Sequence, residues 1–73
     1  MRSINELNDQ EVARVIQAIR RRAAGKGEKI IKGKDGSGTM GFMIADASTN
    51  TVTAGEDYSI DLETLAAMYN VVY

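Results

Sequence analysis

Glu28–Asp46, EKIIKGKDGSGTMGFMIAD, decides the reading of the chain. Along its second half Met40, Phe42 and Ile44 fall on one side of an extended segment. Thr39, Gly41, Met43 and Ala45 fall on the other. Side chains on a strand alternate with period two, so the first set predicts a core face. The first half, Glu28–Lys34, carries Ile30 and Ile31 side by side, and alternation does not say which points inward. Asp35-Gly36 and Gly38 lie between the halves, and an Asp-Gly pair marks a hairpin turn because glycine adopts positive φ without a Cβ clash. The stretch therefore predicts a β-hairpin.

Upstream, Asn8 and Glu11 are spaced as a capping box, with Leu7 and Val12 placed to form a hydrophobic staple. Val12, Val15, Ile16, Ile19 and Ala23 recur on one helical stripe. These signals predict a helix over 9–24 ended by a left-handed Gly25, with residues 1–6 a frayed tail or an extra turn. Downstream, Ala47–Asn50 reads as a polar turn. Thr51–Ala54 reads as a third strand with Val52 and Ala54 on one face, broken by Gly55. Asp61 caps a shorter helix whose buried side is Leu62, Leu65, Ala66 and Tyr69, with Ile60 and Leu65 in staple positions. Asn70 is placed to stop it, and residues 71–73 add an edge strand or a tail. The expected fold class is α+β: one small domain over 1–73, αβββα, with both helices on one face of a three-stranded antiparallel meander.

Composition narrows the chemistry. Seventy-three residues with 44% apolar content, nine of them alanines, one Phe and no Trp make a thin aliphatic core. Such a core leaves little margin over chain entropy, so a homodimer or a partner-assisted fold is a natural expectation. There is no Cys and no His, which removes thiolate metal sites, disulfides and histidine-based catalysis. No run of about 18 apolar residues and no signal-peptide core occurs, so the expectation is a cytoplasmic protein with no membrane partner.

The motifs point away from cofactors. Gly36-Ser37-Gly38-Thr39-Met40-Gly41 matches G-x-G-x-x-G, but a strand follows it where a dinucleotide site needs a helix. Turn glycines are the reading preferred for it over a phosphate cradle helped by Lys32 and Lys34. Walker A fails because Asp35 follows Gly33-Lys34. Asp46, Ser48, Asn50, Val52 and Asp57 fall at calcium-loop offsets, but Thr51 takes the place of the required glycine. Glu56-Asp57 suits cap neighbours better than acid–base chemistry. No enzyme activity, cofactor or metal is expected. Leu62–Val71 with Val52–Gly55 resembles the strand and first helix of LysM carbohydrate-binding domains, and equally a helix of phage-repressor helix-turn-helix proteins. L-x-x-L-A-x-x-Y is mainly an amphipathic pattern and four extra residues separate Gly55 from Leu62, so no family is assigned.

Charge is the remaining signal. The net charge is −1, yet Val12–Lys34 carries Arg14, Arg20, Arg21, Arg22, Lys26, Lys29, Lys32 and Lys34 against Glu28 alone. Asp35–Tyr73 carries Asp35, Asp46, Glu56, Asp57, Asp61 and Glu63 with no base. The arginines of the last helical turn favour the macrodipole, which does not account for the lysines beyond it; these read as a merely solvated face or as a contact surface for an anionic partner. The expectation is a non-enzymatic binding or regulatory protein, for instance an inhibitor or a phage-type accessory protein, whose eight cations contact an acidic protein surface. Nucleic acid on the same patch is the alternative, set back by scarce aromatics and by the downstream acids. A self-assembling structural subunit is the third reading.

Overall fold

The computed structural model describes residues 6–73. In order it contains α1 (Asp9–Gly25), β1 (Glu28–Lys34), β2 (Met40–Asp46), β3 (Val52–Ala54) and α2 (Leu62–Met68), with a 3-10 turn at Glu56–Tyr58 between β3 and α2. The strands form one antiparallel sheet in the order β1-β2-β3. This is the αβββα order the sequence implies. The expected tail or extra turn at residues 1–6 lies outside the described residues except for Glu6, which is exposed.

α1 starts on the predicted capping box: the Glu11 N–H donates to Asn8 Oδ1 at 2.8 Å, and the Asn8 N–H to Glu11 Oε1 at 3.4 Å. Leu7 and Val12 both pack against the core. The helix end corrects the sequence reading. Gly25 is still helical, and Gly27, at φ 73°, takes the left-handed position with its N–H on the Ala24 carbonyl. Of the two glycines flanking Lys26, the second is used, so the turn falls directly before β1.

The apolar faces meet as a helix layer on a sheet. Val15, Ile19 and Ala23 from α1, Ile30, Phe42 and Ile44 from the sheet, and Leu62, Leu65, Ala66 and Tyr69 from the α2 end form the buried cluster. Ile30 is therefore the inward isoleucine, and half-buried Ile31 lies on the outer face. Met40, expected inside, is 45% exposed. It pairs with exposed Lys34 at the hairpin end, where the helices no longer cover the sheet. β3 also departs from simple alternation. Val52 pairs with Ala45 and Ala54 with Ile44, so Thr53 is an extra residue, and its hydroxyl bonds the Ile44 carbonyl at 3.2 Å. The bulge sends Val52 to the outer face and Ala54 to the core, where one shared face was expected.

α2 is capped by Asp61, whose Oδ1 accepts the Thr64 N–H at 2.8 Å. It ends with Asn70 at φ 56°, the Asn70 N–H on Ala67 O and the Val71 N–H on Ala66 O at 2.9 Å, both bonds of a Schellman motif. The motif seats Val71 in the core. The last three residues therefore form neither an edge strand nor a free tail: Val71 is buried, Val72 exposed, and Tyr73 packs partly against the core.

Gly33 and Gly41 are cross-strand partners on the outer face, and Tyr58 lies across them. A Cβ on Gly33 would run into the Tyr58 ring, and one on Gly41 into the Tyr58 carbonyl oxygen. The third glycine of the G-x-G-x-x-G run thus lies in β2, on the strand side where alternation placed it, and its lack of a side chain serves as a seat, which the turn-glycine reading of the run did not include. Asp57 and Tyr58 both sit at φ 59°, a left-handed conformation costing about 1–2 kcal/mol per residue. The glycine seat and the Phe42–Ile60 bridge that follows hold the loop there against that cost. Gly41→Ala is therefore expected to destabilise the protein by about 2–4 kcal/mol in chemical denaturation. Gly36→Ala, with open space around its Cα, is expected to leave the midpoint nearly unchanged.

Candidate functional site

The eight cations separate into groups once α1 is wound. Successive residues turn by about 100°, and the buried stripe runs through Val15, Ile19 and Ala23. Arg20 and Arg22 then flank that stripe on opposite sides, while Arg14 and Arg21, seven apart, share the outward side.

Arg22 turns toward α2. Its Nη1 donates to the Tyr69 carbonyl at 3.0 Å, a C-terminal helix carbonyl left open by the backbone ladder. Lys26 Nζ lies 5.3 Å from the Tyr69 ring centroid, within cation–π range. The Tyr69 hydroxyl donates to Glu28 Oε1 at 2.9 Å. These contacts staple the end of α1 and the start of β1 to the end of α2. Lys29 points to the other face of the sheet and donates to Asn50 Oδ1. Arg14 borders a different groove, with Leu7, Val15 and the Val71–Tyr73 segment.

Arg20 and Lys32 are brought together. With Ala13, Ile16 and Gln17 they line an open groove of about 450 Å³ between the flank of α1 and β1. β1 is an edge strand, so the groove opens along the side of the sheet. Arg14, Arg20, Arg21, Lys32 and Lys34 have no hydrogen bond or ion pair among the described residues. Ala13 and Gln17 were not singled out from sequence, and Ile16 was read only as a core residue. Ile16 fits the core stripe, and only its half-burial shows that it borders a groove.

The acids divide in the same way. Asp35 Oδ1 accepts from the Ser37 N–H, the Ser37 hydroxyl and the Thr39 N–H at 2.6–3.0 Å. Asp46 Oδ1 accepts from Ser48 N–H, Ser48 Oγ and Thr49 N–H at 2.6–3.2 Å. Both carboxyls are held below the usual carboxylate range, first by the hydroxyl of the serine two residues on and then by backbone N–H groups. Asp61 is lowered by its bonds to Thr64. Three of the six downstream acids are therefore turn and cap ligands. None of the six pairs with the upstream cations among the described residues.

Burial, then the bond to Glu28 and its charge, push the Tyr69 hydroxyl up from 10.0 to about 12. Tyr69 stays protonated near neutral pH. Among the described residues no cluster of three or more Asp or Glu side chains has metal-site geometry, and no helix is long and apolar enough to cross a membrane. No protein-family model, curated protein or solved structure matches the chain.

A phenol whose pKa is raised by folding contributes stability that is fully present below its unfolded value and lost as pH rises through the folded one. The protein is expected to lose stability between about pH 10 and 12 in part through Tyr69. Tyr69→Phe should flatten that slope and cost about 1–2 kcal/mol at neutral pH, read by denaturant titration across the pH range.

Proposed function

We propose that the protein is a small non-enzymatic binding protein that engages an acidic surface of a larger protein through the groove between α1 and β1. The observation that supports this reading is the pairing of Arg20 and Lys32, from different elements, beside an apolar floor of Ala13 and Ile16. Neither cation has a partner among the described residues. Arg supplies a planar fork for carboxylates and Lys a mobile point charge, so together they suit two acidic side chains better than one rigid anion. A compact chain of this kind fits the role of a regulator or inhibitor. The cytoplasm is the compartment proposed for it.

Nucleic acid is less well served by the same cations. Base stacking needs accessible rings, whereas Tyr58 lies on the paired glycines and Tyr69 is 5% exposed.

Affinity capture with the wild type and with the Arg20→Glu, Lys32→Glu double variant tests the proposal. Both side chains are exposed, so the variant should keep the wild-type melting temperature. The wild type should retain a protein that the variant does not, and that complex should release as salt rises from about 0.1 to about 1 M and the Debye length falls to about 3 Å. Equal capture by both forms, or retention of nucleic acid in place of protein, would overturn the proposal.

A further inference from the structure

We infer that the open edge of β1 takes an extended acidic segment of another protein as a fourth strand, its side chains seated in the α1/β1 groove. This rests on the acidic-surface reading above and adds the shape of the ligand.

The direction of each backbone group in β1 follows from its neighbours. The Ala47 N–H donates to the Gly27 carbonyl and the Asp35 N–H to the Thr39 carbonyl, both at 2.9 Å. These bonds bracket the β1–β2 ladder and share its register, in which Gly33 faces Gly41 and Ile31 faces Met43. An antiparallel ladder bonds every second pair, so Lys29, Ile31 and Gly33 bond to β2. Ile30, Lys32 and Lys34 then point their N–H and C=O groups away from the sheet. Phe42 gives an independent check: it faces Lys32, yet its N–H and C=O both bond Ile60 on the opposite side, at 2.8 and 3.3 Å. No described residue takes up the outward groups of Ile30, Lys32 and Lys34.

A strand added at this edge lies about 4.8 Å from β1, and its alternate side chains point to opposite faces. Those on the helix side enter the groove of Ala13, Ile16 and Gln17 and meet Arg20 and Lys32. Main-chain bonds to an edge with side-chain selection in an adjoining groove is an established mode of peptide capture. Charge decides the occupant. Lys29, Lys32 and Lys34 outnumber Glu28 along β1, so a second copy offering the same edge is repelled, while an acidic strand is attracted. Carboxylates spaced two residues apart along the ligand fall on the groove side together.

The experiment uses the full chain and three fluorescein-labelled ten-residue probes. The first is a peptide pool alternating Glu with randomised apolar residues. The second is the same pool with every other backbone amide N-methylated, which keeps the charge but blocks strand pairing. The third replaces Glu with Lys. Anisotropy should show saturable binding of the first pool only, weakened at least tenfold by Arg20→Glu. Amide exchange at Ile30, Lys32 and Lys34 should slow at least tenfold on saturation, with little change at Ile31 and Gly33. Equal binding of the methylated pool, or binding without protection of those three amides, would overturn strand addition and leave the acidic-surface reading in place. Failure of both acidic pools to bind would overturn both, and assembly of the free protein through this edge would favour a second copy instead.

Discussion

Phe42 is the residue on which the rest of the structure depends. Its ring has no exposed surface, and its backbone N–H and C=O are both bonded to Ile60. The first fact fixes the core face of β2 against both helices. The second closes the far side of β2 beyond the short β3 and sets where the chain enters α2, one residue before the Asp61 cap. Residues 55–59 must then arch over the outer face to connect β3 to Ile60, and the paired glycines 33 and 41 leave room for Tyr58 to do so. With the far side of β2 occupied, β1 remains as the long free edge. The groove beside it exists because α1 covers the face of β1 and not its rim.

The lopsided charge of the sequence has two origins in the fold. Part is local: Asp35, Asp46 and Asp61 accept N–H groups of their own turns or helix, and Arg22 and Lys26 attend the end of α2. Local demands of this kind recur wherever a helix starts or a turn closes, and they imply no partner. Five other cations answer no internal need among the described residues: Arg14 and Arg21 on the outward side of α1, Arg20 with Lys32 at the groove, and Lys34 nearby on the same strand. Lysines also guard an edge strand against pairing with its own kind, so the same side chains serve solubility and selectivity at once.

How much of this was legible in the sequence depends on how far apart the partners lie along the chain. Asn8 with Glu11, Asp61 with Thr64, and Asn70 with the last turn of α2 are contacts within a few residues, and their patterns sufficed. The buried side of α2 followed from period alone. The bulge at Thr53 and the exposure of Met40 depend on tertiary neighbours, so alternation misread them, and it carried no sign of the seat that Gly33 and Gly41 make for Tyr58. Gly27 displaced Gly25 because both glycines suit the cap and only the path into β1 distinguishes them. For the site, sequence supplied the cations but not their distribution. Winding α1 separates Arg20 from Arg22 by the width of its buried stripe, and only the packing of α1 over β1 brings Arg20 to Lys32.

The central claim is that β1 is an open edge with its alternate amides unspent, and residue-resolved hydrogen exchange on the free protein tests it most directly. The structure predicts slow exchange at Ile31 and Gly33 and fast exchange at Ile30, Lys32 and Lys34, a sawtooth along a single strand. Uniform protection along β1 would mean that the edge is already covered, and would contradict the account.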